Sequence, residues 1–177
     1  MNGARGVRAK EIWTVMRSKA PMQIVAAATD RELSAAKAMI EEYAASIGID
    51  LGFQGFRQEI AQFPSGYSSP DGLVLVAYRG GEPAGVVALR RLEGSVCEMK
   101  RLYVRPEHRG RGIGRALSEE VIRRAAGLGY AKMRLDTLPT MDPAIELYRD
   151  LGFREIPPYR FNPVADAHYM ELDLVVP

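Results

Sequence analysis

The densest chemistry in this chain lies in seven consecutive residues, Arg109-Gly110-Arg111-Gly112-Ile113-Gly114-Arg115. Three glycines and three arginines between an expected strand and an expected helix suit an anion. The first turn of a helix carries unpaired N–H groups and a partial positive charge. Glycines let a phosphate approach the backbone closely, and Arg109 and Arg115 can add forked, charged donors. Two familiar phosphate sites are excluded by spacing. A nucleoside-triphosphate loop requires Lys and then Ser or Thr after its last glycine, and here Gly114 is followed by Arg115-Ala116. A dinucleotide fingerprint requires a third glycine at 115 or 117, where Arg115 and Leu117 stand.

Other side chains capable of chemistry are few. Glu98 and Asp136 lie on or at the end of expected strands, and Tyr148 lies on an expected helix. His108 reads as a solvated loop residue. Cys97 has no histidine near it in sequence and reads as a small buried hydrophobe. It is the single cysteine, so no internal disulfide framework or multi-cysteine metal site can form. The two histidines, His108 and His168, match no metal-ligand spacing, and no metal is expected.

The elements that must position these groups follow from patterning. The chain has 177 residues, 47% hydrophobic and 26% charged, which suits one globular domain with a tail. No apolar run approaches the ~18 residues of a membrane span, so a membrane is not an expected partner and the chain reads as cytoplasmic. Residues 1–21 form a basic N-terminal extension. They hold Arg5, Arg8, Lys10, Arg17 and Lys19 against Glu11, so +4 sits there and −2 on the rest. An over-called start, a short amphipathic helix at 11–17 anchored through Trp13, and a targeting segment all remain open for it.

Residues 22–177 read as the working domain. A strand is expected over 22–28. A helix capped by Thr29 or Asp30 follows, with Glu32 completing a capping box and Gly48 ending the run. Phe53, Phe56, Ile60 and Phe63 allow a second short helix. Strands are expected at 73–78, 84–92, 96–104, 131–137 and 168–175, with a glycine hairpin at Gly80-Gly81. A helix runs from the glycine-rich turn to about Ala126, with Ile113, Leu117, Val121 and Ala125 as its buried stripe. Asp142 is expected to cap a further helix, with Pro143 at its first position. The fold class is therefore α/β: a mixed, mostly antiparallel central sheet flanked by helices.

Two segments resemble the GNAT superfamily of acetyl-CoA-dependent N-acyltransferases. One is Arg109-x-x-Gly112-x-Gly114, preceded by the strand Cys97–Val104 and Arg105-Pro106. The other is Ala144-Ile145-Glu146-Leu147-Tyr148-Arg149-Asp150-Leu151-Gly152-Phe153. The resemblance covers the chain from Met22 onward. It implies an acyltransferase that moves the acetyl group of acetyl-CoA to a primary amine of a small molecule or peptide by direct attack on the thioester, without a metal. It implies that backbone groups around Leu102, Tyr103 and Val104 bind the pantetheine arm. Arg109, Gly110, Arg111, Gly112, Ile113, Gly114 and Arg115 would hold the pyrophosphate. Tyr148, at the family's Leu-Tyr position, would protonate the departing thiolate, and Glu98 or a water chain would serve as base, with Asp136 ranked below it. An amine of pKa ~10.4 is neutral in only roughly one molecule in two thousand at pH 7, so such help matters. Met141 stands where relatives often carry an Asn that holds the cofactor arm.

The acceptor is expected between the early helices and the C-terminal loops. Phe53, Phe56, Phe63 and Tyr67 would form one wall and Tyr159 the other. Arg57 or Arg160 would suit a carboxylate there, although both read more simply as surface charges. A non-catalytic acetyl-CoA-binding module is the alternative function. Nucleic acid is not an expected partner, because the basic segment lacks interleaved aromatics. The resemblance favours a homodimer, on which the residues are silent.

Overall fold

The computed structural model describes residues 21–174. The extension with Trp13, and Val175 at the end of the last expected strand, lie outside the described residues. Seven strands form one sheet: β1 (Met22–Ala26), β2 (Leu73–Arg79), β3 (Glu82–Glu93), β4 (Val96–Val104), β5 (Lys132–Thr137), β6 (Arg154–Glu155) and β7 (His168–Asp173). Their order is β1-β2-β3-β4-β5-β7-β6, and every neighbouring pair is antiparallel except β4 and β5.

Among the described residues four α-helices cover the sheet: α1 (Asp30–Ser46), α2 (Phe56–Gln62), α3 (Ile113–Gly127) and α4 (Asp142–Asp150), with 3-10 turns at Leu51–Gln54 and Pro106–His108. The capping box forms as its residues predict: Thr29 Oγ1 accepts from the Glu32 amide, and Glu32 accepts from the amides of Ala28 and Thr29. The start of α4 differs from expectation. Met141, not Asp142, is the N-cap, and no side chain caps there. The chain already turns through Leu138–Met141, and the Met141 carbonyl takes the amides of Ala144 and Ile145. Asp142 instead places its charge in the first turn, where the helix dipole favours it.

Two apolar clusters lie on opposite faces. One joins Leu75, Leu89, Cys97, Met99, Met133 and Leu135 of the sheet to Leu117 and Val121 of α3 and Tyr148 of α4. The other packs Val74, Val76 and Val86 against Ala36, Met39 and Ile40 of α1, with Phe56, Phe63 and Tyr67 beside them. Each fully buried Leu, Ile or Val contributes roughly 1.5–3 kcal/mol. Gly85 fixes how closely α3 sits: a Cβ there would fall 2.9 Å from the Tyr103 carbonyl and 3.0 Å from Leu117. No helix among the described residues is long and apolar enough to cross a membrane.

Candidate active site

The sheet opens in its middle. β4 and β5 pair only from Val96 opposite Lys132 to Glu98 opposite Arg134. Beyond Glu98, the edge of β4 that faces β5 has no strand neighbour among the described residues, so its peptide groups are left outside the ladder. A bulge lies in that stretch. Ala88 pairs with Lys100 and Val86 with Tyr103, so Val87 faces both Arg101 and Leu102. Arg101 adopts a left-handed φ of 59°, a conformation that costs about 1–3 kcal/mol in a non-glycine residue. Its side chain offsets that cost. It forms a forked ion pair with Glu59 at 2.9 and 2.6 Å and stacks 5.2 Å from the Phe56 ring centroid.

At the far end of β4 the chain passes through Pro106–His108 into the glycine-rich turn. Gly110 and Gly112 take φ of 69° and 76°, and α3 begins at Ile113 with Gly112 as an uncapped N-cap. Among the described residues the amides of 110–115 have no hydrogen-bond acceptor, whereas the Ala116 amide already donates to the Gly112 carbonyl. Six backbone donors thus surround one helix end. The arginine side chains are partly committed elsewhere. Arg109 Nε donates to the Val104 carbonyl at 3.0 Å, with its guanidinium 5.9 Å from the Tyr103 ring centroid. Arg115 pairs with Asp150 at 2.7 Å. Arg111 is exposed, and Ile113 buries its side chain while its amide remains in the first turn. Gly114 leaves its nearest side chains, Leu147 and Val104, 3.8 Å from where a Cβ would be. The residues present therefore fit a diphosphate held by peptide hydrogens.

Tyr148 lies on α4, buried, its ring 5.8 Å from that of Phe153. Burial, then the fields of Tyr43 and Asp136, push its phenol above the ordinary range, so it stays protonated at neutral pH. Ile145 and Leu151 share its packing face, so the ring is also a core aromatic.

On the opposite face, where α1 and α2 pack, the splay is charged. Glu98 is fully buried. Its Oε2 accepts from Arg90 Nε at 2.8 Å, and its Oε1 accepts from the Tyr159 hydroxyl at 2.9 Å and from Arg160 Nη2. Lys100, two residues along, donates from Nζ to Gln54 Oε1 at 3.2 Å. Burial first, then neighbouring Arg101, lower its ammonium to about 7. Across the gap, Asp136 accepts from Asn162 at 3.2 Å and from Gln54 at 3.5 Å.

A model of the acetyltransferase (GNAT) family matches residues 36–153, a span that includes the splay, the glycine turn and Tyr148. The chain belongs to that family. An uncharacterized N-acetyltransferase of Schizosaccharomyces pombe is 40% identical over 161 residues, 90% of this chain and 99% of the relative. An IAA acetyltransferase of Azospirillum brasilense is 37% identical over 109 residues, 60% of this chain and 71% of the relative. Among solved structures, a GNAT-family acetyltransferase of Staphylococcus aureus superposes with a TM-score of 0.72 at 20% identity, covering 88% of this chain and all of that one. The ribosomal-protein-S18-alanine N-acetyltransferase of Escherichia coli gives 0.65 at 21% identity, covering 87% and 94%.

This N-acetyltransferase places some expected residues differently from their sequence reading. Arg160 is not a surface charge. Its side chain is 17% exposed and paired with Glu98, because the loop after β6 folds back and Tyr169 pins it by donating to the Arg160 carbonyl. Arg57 is exposed. Tyr67 is not a groove wall. It is 3% exposed and donates to Glu59 at 2.7 Å, and Phe56 and Phe63 pack in the same cluster. Phe53 is half-buried on the turn that carries Gln54. His108 ends a 3-10 turn and is half-buried. Cys97 is buried, its thiol pushed up to about 12 by burial. Arg90, Lys100, Gln54 and Asn162 escaped sequence reasoning. The available signal was Glu98 and Lys100 alternating with Cys97 and Met99, which puts charge on one buried face of a strand.

Proposed function

We propose that this GNAT-family member transfers the acetyl group of acetyl-CoA to the primary amine of a small molecule or peptide by direct attack on the thioester. The observation that carries the reading is the uncapped turn at 110–115 lying at the end of a strand whose β5-facing edge is open. The co-substrate supplies an activated acyl carbon and a thiolate leaving group. The amides of residues 110–115 hold its diphosphate, and the edge at Leu102–Val104 holds its pantetheine arm, with the Leu102 N–H as donor to the carbonyl oxygen. The acceptor approaches from the α1–α2 face. Glu98, paired with the guanidiniums of Arg90 and Arg160, orients the incoming ammonium and receives its proton through water. As the C–S bond breaks, the Tyr148 hydroxyl, held protonated by burial, donates to the departing sulfur and regains a proton from the newly acylated nitrogen.

The test is thiol release from acetyl-CoA with a panel of amines, run beside direct titration of acetyl-CoA. Release that depends on the amine, with an acetylated product of matching mass, is the expected result. Tight binding of acetyl-CoA without turnover on any amine overturns the transferase reading and leaves a binding module.

A further inference from the structure

The basic groups on the acceptor face outnumber its carboxylates. Arg101 is matched by Glu59, and Arg134 of β5 by Glu171 and Glu93. What remains is Arg90 of β3, Lys100 of β4 and Arg160 of the loop before β7, against Glu98 and Asp136 alone. Two guanidiniums share the single Glu98 carboxylate. Arg160 Nε is the one buried side-chain nitrogen or oxygen among the described residues that lacks a hydrogen-bond partner. An unsatisfied buried donor on a charged group is costly, by more than the ~1–3 kcal/mol of a neutral one. Arg90 keeps 32% of its side chain exposed and Arg160 17%, so solvent reaches the pair.

We propose that the amine acceptor carries a carboxylate, and that Arg160, with Arg90 and Lys100 beside it, is the group that reads it. The inference rests on the transferase reading and names its substrate class: amino acids or peptides with a free carboxylate near the acceptor amine. The geometry also couples recognition to protonation. The groups facing Lys100 are Glu98 and Arg101 on its own strand, Arg90 on β3, Asp136 on β5, Glu59 on α2 and Gln54 on the turn before it. With an ammonium lowered to about 7 by burial, Lys100 is easily neutralised near neutral pH. A carboxylate arriving beside it favours the charged form, so binding takes up a proton. The phenols of Tyr43, Tyr67, Tyr159 and Tyr169 border the same face and are held protonated by burial, so they do not titrate in this range.

The experiment uses the full chain saturated with coenzyme A, which cannot transfer. It is titrated at pH 7.5 with α- and ω-amino acids, each beside its carboxamide, by calorimetry in phosphate and in Tris. We expect the best acid to bind at least about tenfold tighter than its amide, with an enthalpy that differs between the buffers because a proton is taken up. Arg160→Gln should cut acid affinity by about tenfold and leave amide affinity unchanged, and Lys100→Met should abolish the buffer dependence. Unchanged coenzyme A affinity shows that each variant is folded, and the wild-type comparison needs no variant. Equal affinity for acids and amides, or no binding by any acid, overturns the proposal. Amine-dependent thiol release decides the transferase reading separately. Turnover of amides as good as that of acids sinks the carboxylate and keeps the enzyme. Acid-selective binding without any release does the reverse.

Discussion

The two ends of the β4 splay are built from opposite materials. The glycine turn uses backbone: donors contributed by consecutive residues, exposed, held by positive φ at Gly110 and Gly112. The charged face proposed to take the acceptor uses side chains from β3, β4, β5, the turn at Leu51–Gln54 and the loop before β7, mostly buried and held by ion pairs. A peptide N–H is lost only to proline and does not titrate. A side-chain cation can be substituted by any residue, and an ammonium can also titrate. On the proposed reading, the glycine turn is thus suited to one unvarying ligand, and the charged face to a ligand chosen by composition.

The sharpest way to break this contrast is Gly112→Glu. It puts a carboxylate where a diphosphate is to lie and a Cβ on a residue with φ of 76°. Affinity for acetyl-CoA should fall by more than about a hundredfold, while the left-handed backbone costs only about 1–2 kcal/mol of stability. A folded variant with wild-type affinity in an acetyl-CoA titration would remove the turn from the site. Glu98→Gln attacks the other end. It leaves Arg90 and Arg160 without their shared carboxylate, and breaking a buried pair costs about 3–5 kcal/mol, a drop in Tm of roughly 6–20 °C for a chain of this size. Acetyl-CoA affinity should stay within about threefold. A variant as stable as wild type would mean that the network carries no net charge strain.

Tyr148→Phe tests the link between the two ends. The ring keeps its packing on Phe153, so Tm should move by less than about 3 °C, and acetyl-CoA affinity should hold. Turnover should drop about tenfold, at the low end for a general acid because a thiolate leaves readily. Unchanged turnover would reduce Tyr148 to a core aromatic.

The same contrast explains what could be read from the residues alone. Strand β4 and helix α3 appear where patterning puts them, as does the Thr29 cap, because each depends on neighbours within a few positions. Strand β6 escaped because two residues, Arg154 and Glu155, carry no periodicity and owe their conformation to pairing with β7. The glycine turn was legible for the same local reason. The network around Glu98 was not, since Arg160 lies 62 positions away and Lys100 meets Gln54 across 46. Arg160 taken alone resembles any loop arginine. Only the tertiary fold reveals that it shares one buried carboxylate with Arg90.

The smallest effect concerns Lys100 and is read from pH. Its folded-state pKa, about 7, lies below the ~10.4 of an unfolded lysine. Between those values the unfolded chain binds more protons than the folded one, so stability from this residue rises with pH across the window. Below pH 7 the full cost of a buried ammonium is present, and above pH 10.4 it is gone. Lys100→Met removes that cost at every pH and leaves Gln54 Oε1 without its donor, a loss that does not titrate. The net gain for the variant at pH 6 should therefore be about 1–2 kcal/mol. The Tm difference between variant and wild type should shrink steadily as pH rises from 6 to 9.5, through zero if the unpaired amide costs more than the remaining charge. A difference that stays flat would mean that Lys100 keeps an ordinary ammonium, paired closely enough with Glu98 and Asp136 to be insensitive to its burial. The uncompensated charge on the acceptor face would then be confined to the two arginines.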